Sequence, residues 1–535
     1  MDTVCYTIVG GDYDSGGQAS RQLKEILKQL GVDPASVRRA MVAAYESEMN
    51  VVIHATRGRM EVTFHPQRID VVVEDEGPGI ENVEQALMEG FSTAPSKARD
   101  LGFGAGMGLP NIKRNSNRFE ITSEVGRGTR VCFSIDIQSQ KGSERKQDSL
   151  RVDLERCTGC KRCLWVCPTQ AVRVRGPKQV NVLAHRCIEC TTCIGACPTG
   201  ALALSAANDK AVPNPKEMLI LPDAVLAQFG ATHSPAQVRS ALARLGFAGI
   251  VVLTVWERAL TAAVVERVAT HAVRPVISPA CPAVVQLIES RFPALLPHLA
   301  PLYPAPEAAL RQQKDGAVAL ITLCPAQQSA ALLLGHGKGL RFMTPGAVRS
   351  TVHDELAHGT GRDGRESRTV AESVASSDRG EASVPEGFLR VSGIRHVRGI
   401  LEEIENGLAP DVAVLDLYAC DQGCRGSALL WENPFVAEYR SRLLPETEAF
   451  TEPVKAADLT RPQAFRPRPG IRVDPHLPTA MLKLGEIGRL TRRLPGTDCG
   501  RCGSPSCEAF AEDVVLGRCE ATACSEHSVR EEKLS

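Results

Sequence analysis

Eight cysteines between positions 157 and 197 repeat one spacing twice. They read Cys157-x-x-Cys160-x-x-Cys163-x-x-x-Cys167-Pro, then Cys187-x-x-Cys190-x-x-Cys193-x-x-x-Cys197-Pro. Thiolates are soft ligands that suit iron. Three cysteines at this spacing wrap one iron–sulfur cube, and the fourth crosses to the neighbouring cube. Cys157, Cys160, Cys163 and Cys197 are therefore expected to hold one [4Fe-4S] cluster, and Cys167, Cys187, Cys190 and Cys193 a second. Pro168 and Pro198 turn the chain away after each crossing ligand. Structural zinc would use four ligands per ion without these paired prolines.

The remaining cysteines fall into two further groups. One comprises Ser278-Pro-Ala-Cys281-Pro, Leu323-Cys324-Pro and Ala419-Cys420-Asp-Gln-Gly423-Cys424. Free cysteines are often ordinary core residues, but the Cys-x-x-x-Cys pair and the flanking prolines favour a further cube. The other group closes the sequence: Cys499-Gly-Arg-Cys502, Cys507, the helical stretch EAFAEDVVLGR, then Cys519 and Cys524. Two thiols two residues apart, a third five later and a fourth after a helix can surround one cube. Cys524 matches the length of the closing helix; Cys519 competes for the same role, and a zinc ribbon is the alternative. Cys5 and Cys132 lie in or beside apolar strands and are expected in the core.

A second chemistry precedes the cysteines. Residues 34 to 56 carry apolar positions at helical spacing. Glu46, Asn50 and His54 lie four apart on it and so share one face. An Asn oxygen can ligate Mg²⁺, and a Glu one turn away can act as a base on a hydroxyl. The strand IDVVVEDEGPGI ends in Asp75-Glu-Gly77-Pro-Gly79, where a carboxylate can accept from an adenine amine. The stretch LGFGAGMGLPNIKR places Gly104, Gly106 and Gly108 before a helix, where backbone N–H groups can approach phosphates. Gly126-Arg-Gly128-Thr129 then precedes the alternating strand RVCFSIDI. The GxGxG run alone is a weak signal; the four elements in this order carry the reading.

These sites need several domains to position them. A length of 535 residues predicts three or four. The 62 basic and 62 acidic residues balance, which argues against a chain-wide nucleic-acid or anionic-membrane role. No run of about eighteen apolar residues predicts a membrane span. The N-terminus lacks a signal-peptide pattern, and the tight Cys-x-x-Cys clusters point to metal rather than disulfides. Both lead to the expectation of a cytoplasmic protein. The expected organisation is a nucleotide domain over 1–137, a polar linker over 138–148, a two-cluster domain over 149–206, an α/β body over 207–450 and a terminal cluster domain over 475–535. The body carries a Gly-, Ser-, Glu- and Arg-rich stretch near 358–387 that reads as a disordered insertion.

Each part resembles a known family. Residues 5 to 137 resemble the GHKL ATPases, most closely the anti-sigma-factor serine kinases, through Glu46-x-x-x-Asn50-x-x-x-His54, Asp75-x-Gly77-x-Gly79, Gly104-x-Gly106-x-Gly108 and Gly126-x-Gly128-Thr129. The resemblance implies an α/β sandwich in which Asn50 holds Mg²⁺, Asp75 reads adenine, Glu46 deprotonates a serine or threonine of a protein substrate, and the glycines form an ATP lid. Residues 149 to 206 resemble bacterial two-cluster ferredoxins. Residues 216 to 435 resemble the catalytic domain of [FeFe] hydrogenases. There Cys281, Cys324, Cys420 and Cys424 fall on the four cube ligands, with Cys424 the one that bridges to a two-iron site. Ala280 stands where active hydrogenases carry a proton-delivering cysteine, and Gln327 where they carry a lysine. Thr322 and Tyr418 replace methionines, and Arg-Gly-Ser follows Cys424 in place of a glycine run. Dihydrogen turnover is therefore not expected. The end of the chain resembles the small helical single-cluster domain of Rnf-type subunits and corrinoid iron–sulfur proteins, with Cys499, Cys502, Cys507 and Cys524 as ligands.

The combination implies a redox-sensing regulator of an anaerobe. Cluster state would alter ATP binding or phosphotransfer to a protein partner, one like an anti-sigma-factor antagonist or another redox protein. An electron-transfer subunit of an oxidoreductase complex is the alternative, and a residual hydrogenase a weaker one. The kinase resemblance also implies a homodimer through the first domain.

Overall fold

The computed structural model describes residues 3–100, 103–138, 150–176, 179–205, 214–229, 233, 235–313, 316–334, 339–358, 387–442, 454–468, 473–474 and 476–525. The expected linker and insertion lie outside these residues except at their edges. Among the described residues no helix is long and apolar enough to cross a membrane. The chain divides into two compact units, Met1–Glu144 with Pro467–Ser535, and Arg145–Arg466.

The first unit is built on a five-stranded sheet. In chain order it runs β1 (Thr3–Val9), α1 (Gln18–Gln29), α2 (Pro34–His54), β2 (Arg57–His65), β3 (Arg68–Asp75), α3 (Val83–Ala86), α4 (Ser96–Asp100), α5 (Gly108–Asn115), β4 (Arg118–Glu124) and β5 (Gly128–Asp136). The strand order is β1-β2-β3-β5-β4, antiparallel at every pairing. Alternation along β2 and β3 buries Met60, Val62, Phe64, Ile69, Val71 and Val73 on one face. Leu23 and Leu27 of α1 and Ala40, Ala44 and Val51 of α2 join the same core. Asp33 starts α2: its carboxylate accepts from the amides of Ala35 and Ser36, and Pro34 follows at the first helical position.

Cys5 corrects the expectation of a core thiol. β1 is an edge strand in which Val4, Tyr6 and Ile8 face inward, so the two-residue period turns Cys5 to solvent beside Arg59 and Glu61. Cys132 is half-buried.

The C-terminal part of this unit packs onto the sheet domain. A long helix, Leu477–Arg493, places Ala480, Leu484 and Ile487 along one stripe, and Leu494 follows at its C-cap. Ala480 lies fully buried in the core of Leu23 and Val51. Ile487 and Leu494 pack with Phe510 of the closing helix Cys507–Val515.

The second unit combines two small antiparallel ribbons with an α/β body. Leu150–Val152 pairs with Leu202–Leu204, and Val172–Val174 with Val180–Val182. In the body, a parallel sheet takes the order Gly249–Val252, Glu217–Leu221, Ala317–Ile321, Leu340–Met343. A second parallel sheet orders Val276–Ile277, Val414–Tyr418, Phe388–Ser392. Apolar runs such as Leu219–Leu221 and Val318–Ile321 are buried on both faces, as parallel strands require.

Removing the α2 cap should be felt locally. Asp33→Ala is expected to cost the first unit about 1 kcal/mol, read as a lower denaturation midpoint; an unchanged midpoint contradicts the capping role.

Candidate functional site

The nucleotide residues converge where α2, β3, β5 and α5 meet. Asn111 of α5 donates to Glu46 Oε1 at 2.7 Å. Gly108, which opens α5, lies against both side chains of α2. A Cβ there would stand 3.1 Å from Asn50 Oδ1 and 3.4 Å from Glu46 Oε2. Asp75 closes the other side, accepting from the amide of Thr129 at 3.2 Å. Gly128 has φ 108°, and a Cβ on it would fall 2.0 Å from the carbonyl oxygen of Asp75. Only glycine permits that approach. Gly77 sits by the Asp75 carboxylate and Gly79 by the backbone of Glu124. Gly106 accepts from Gly90, and Gly104 lies on Ala94, so the glycine segment folds back on the Gly90–Ala94 loop. Burial pushes the Asp75 carboxyl above its ordinary range, although the amides of Thr129 and Gly77 pull the other way. His54 is buried enough to be pushed down.

Glu48, unremarked in the sequence, holds this arrangement together. It is 2% exposed, and its two oxygens accept from the amides of Ala19 and Ser20 at 3.0 and 2.9 Å. These are orphan donors at the start of α1, whose cap residue Gly17 offers no side chain.

The sixteen cysteines form four groups in space. Around the first, the thiols of Cys160, Cys197 and Cys157 add to burial in driving Cys163 up to about 11. Cys167, Cys187, Cys190 and Cys193 line one hollow, which also meets Pro325. Cys281, Cys324, Cys420 and Cys424 line a second, with Cys190 on its wall. Cys499, Cys502, Cys507 and Cys524 line a third, with Phe510; Cys519 is not on that wall.

Local sequence explains the placement. Cys281 and Cys324 each follow a parallel strand and cap a helix whose first residue is proline. Cys420 and Cys424 follow the strand Val414–Tyr418. All four therefore stand at carboxyl ends of parallel strands, where open α/β sheets place their ligands. In the two ferredoxin-type loops, Lys161 and Thr191 take φ 62° and 65° at matching positions before short helices. In the terminal loop Asp498 accepts from the amide of Cys507 at 2.7 Å, while buried Ser504 donates to buried Asp513 at 2.7 Å.

The donor sets, four thiols to a hollow, fit iron–sulfur clusters. Among the described residues no three His, Cys, Asp or Glu side chains close around a single metal position. The thiols instead line three hollows, one set of four to each. Burial, then Cys281 and Cys190, drives Cys420 up to about 12. Burial drives Cys324 and Cys424 well above their usual values, and the neighbouring thiols add to it. A cationic iron–sulfur core, when bound, would relieve that cost with the thiols held as thiolates.

Beside Cys424, Gln327 and Thr322 are neutral, while Glu257 and Arg425 interact electrostatically with its thiol. Gln327 turns its oxygen to the amide of Leu323 at 2.8 Å and its nitrogen to Cys424 Sγ at 4.0 Å. Thr322 is buried and accepts from Gln328. Another unforeseen residue, Glu189, joins the second ferredoxin-type loop to the body. Its carboxylate accepts from Gln286 at 2.9 Å and Ser329 at 2.8 Å.

Comparison with known proteins follows these divisions. Residues 37–139 match the family model of histidine kinase-, DNA gyrase B- and HSP90-like ATPases. The serine/threonine-protein kinase RsbT of Bacillus subtilis is 30% identical over 118 residues, 21% of this chain and 83% of that protein. By its first domain, the chain belongs to the family of this kinase. The anti-sigma F factor of Clostridium beijerinckii is 27% identical over 110 residues, 19% of this chain and 73% of the factor. Beyond the kinase-family domain, residues 149–212 match a 4Fe-4S dicluster domain. Residues 218–309 match the C-terminal domain of the iron-only hydrogenase large subunit, and residues 494–525 a putative Fe-S cluster domain. A variant of the apo [FeFe]-hydrogenase from Chlamydomonas reinhardtii overlaps 46% of this chain and 87% of its own at 13% identity, with a TM-score of 0.33. The chain is thus a fusion of a kinase-like ATP-binding domain with ferredoxin-like, hydrogenase-like and terminal iron–sulfur domains.

Two outcomes follow from this geometry. Cys524→Ser should remove about four irons per chain and Cys519→Ser none, by iron quantification after anaerobic reconstitution; the reverse order contradicts the ligand set. Asp75→Asn should weaken ATP binding by roughly ten- to a hundredfold, the value of about 1.5–3 kcal/mol for a charge-assisted hydrogen bond. Because its pKa is raised, Asp75 protonates at a higher pH than an ordinary carboxyl. The affinity ratio of wild type to Asp75→Asn should therefore begin to fall above the ordinary carboxylate range as pH is lowered; a ratio flat down to that range contradicts the role.

Proposed function

We propose that the chain is an iron–sulfur redox-sensing regulator in which cluster state sets ATP binding or serine/threonine phosphotransfer to a protein partner. One observation carries this reading: the kinase-family ATP site and the terminal cysteine hollow belong to one compact unit. Asn50 holds Mg²⁺, Asp75 accepts from the adenine amine, and the segment from Gly104 to Gly108 closes over the phosphates. Glu46 takes the proton of the substrate hydroxyl as its oxygen attacks the γ-phosphorus and ADP leaves. The chain holds four [4Fe-4S] clusters, one in each cysteine group. When bound, they supply one-electron storage at potentials set by charge and exposure. The partner is a protein like an anti-sigma-factor antagonist. The kinase-family domain pairs with a second copy, and the protein works in the cytoplasm.

A second reading, an electron-transfer subunit of an oxidoreductase complex, is favoured by Cys190, which lines both the ferredoxin-type hollow and the hydrogenase-like one. Ala280 and Gln327 stand where the resemblance to active hydrogenases calls for a proton-delivering cysteine and a lysine, which disfavours dihydrogen turnover.

The test is transfer of labelled γ-phosphate to an anti-sigma-factor antagonist protein, with the chain oxidised and then reduced. Label should appear on serine or threonine, at a rate that depends on cluster state. Glu46→Gln should lower it by roughly 10²–10⁴-fold with ATP affinity kept. A reduced but unlabelled redox partner would favour the electron carrier, and full labelling by Glu46→Gln would remove the assigned base.

A further inference from the structure

We propose that the terminal cysteine module is the one that controls the ATP site, through a lever made of the long helix Leu477–Arg493, α1 and the Glu48 carboxylate. The inference rests on the redox-sensor reading and names the route by which that site is regulated.

The lever is continuous within the first unit. At one end, the hollow formed by Cys499, Cys502, Cys507 and Cys524 includes Phe510. Phe510 is 1% exposed and packs with Leu484 and Ile487 of the long helix and with Leu494 at its end. Leu484 also packs against the core of the kinase-family domain, as does Met481, and Ala480 is wholly buried in it. The long helix is thus held in two cores at once. A shift of its far end is transmitted to the near end because close-packed interfaces have little slack.

α1 receives that shift at its C-terminal end. The carbonyl of Gln29 accepts from the amide of Val473, just before the long helix, at 3.3 Å. The Gln29 side chain donates to Glu508 at 3.3 Å, and Glu508 is the residue after Cys507. At its other end α1 is tied to α2 by the two bonds from Ala19 and Ser20 to buried Glu48. A buried carboxylate facing two helix amides is expensive to leave unpaired. α1 therefore moves with α2 rather than away from it. Glu48 lies two residues from Glu46 and two from Asn50, so the same displacement re-aims both toward or away from Gly108.

The input is a single electron. With a cube held by Cys499, Cys502, Cys507 and Cys524, a low-potential one-electron donor would make it one charge more negative, near Asp498 on the wall of the hollow and Glu508 next to Cys507, with no bond formed or broken. Like-charge repulsion then acts on the start of the closing helix, which the long helix and Gln29 grip. The eight ferredoxin-type cysteines and the four hydrogenase-like ones belong to the other unit and are not part of this lever.

The experiment uses the full chain, anaerobically reconstituted, and reads amide hydrogen exchange over α1 and α2 before and after reduction with dithionite. Exchange of α1 should change by roughly fivefold or more on reduction. The change should persist in Cys160→Ser, which disables a ferredoxin-type cube, and vanish in Cys524→Ser. Glu48→Gln should leave the α1 response but stop its passage to α2. Identical α1 exchange in both states, or a response that survives Cys524→Ser, overturns the lever. ATP affinity measured on the same samples separates the two ideas. Affinity that ignores reduction while α1 responds sinks both the redox-sensor reading and the module's control of the ATP site, and leaves only a mechanical tie between the module and α1. Affinity that still follows reduction in Cys524→Ser sinks the lever and leaves the sensor.

Discussion

Four thiols gathered in a water-poor hollow repel one another as thiolates, and burial penalises each of them further. That constraint organises most of this chain. Burial and neighbouring sulfurs hold Cys324, Cys420 and Cys424 well above the ordinary thiol range, a cost that a cationic cluster bound by their thiolates would offset. The fold supplies the rest. Strand ends deliver Cys281 and Cys324 to helix N-termini, where the dipole favours the anionic ligand. Loops with left-handed residues at Lys161 and Thr191 wrap the ferredoxin-type cysteines.

The ATP site answers a different requirement, backbone proximity. Gly128 lets one strand cross within contact of Asp75, and Gly108 brings the start of α5 onto Glu46 and Asn50. Asp75 is placed by β3, Glu46 and Asn50 by α2, and α2 is held in turn by Asp33 at its start and by Glu48 in its middle. The buried charge of Glu48 therefore links the placement of α1 to the chemistry of the nucleotide pocket.

Much of this was legible in the sequence because it is local. The cysteine spacings, the Glu46-Asn50 helical face and the glycine turns all depend on residues a few positions apart, and each appears where its pattern places it. Residues whose partners are distant were not legible. Glu48 meets amides 28 and 29 positions away, and Glu189 meets Gln286 and Ser329 at separations of 97 and 140. Nothing in a stretch such as YESEMN says that its second Glu caps another helix. Cys5 misled for a related reason: an apolar strand at a sheet edge has one wet face, and the register alone decides which. The docking of Ala480 into the kinase-family core is likewise tertiary, since a helical stripe does not name the surface it covers.

The central claim is that nucleotide binding and cluster state are coupled in one molecule. The most direct measurement is the dissociation constant for ATP on the anaerobically reconstituted full chain, oxidised and then reduced. The account predicts constants that differ by roughly fivefold or more between the two states. Equal constants would contradict it and leave the chain as an electron carrier with an ATP-binding domain attached.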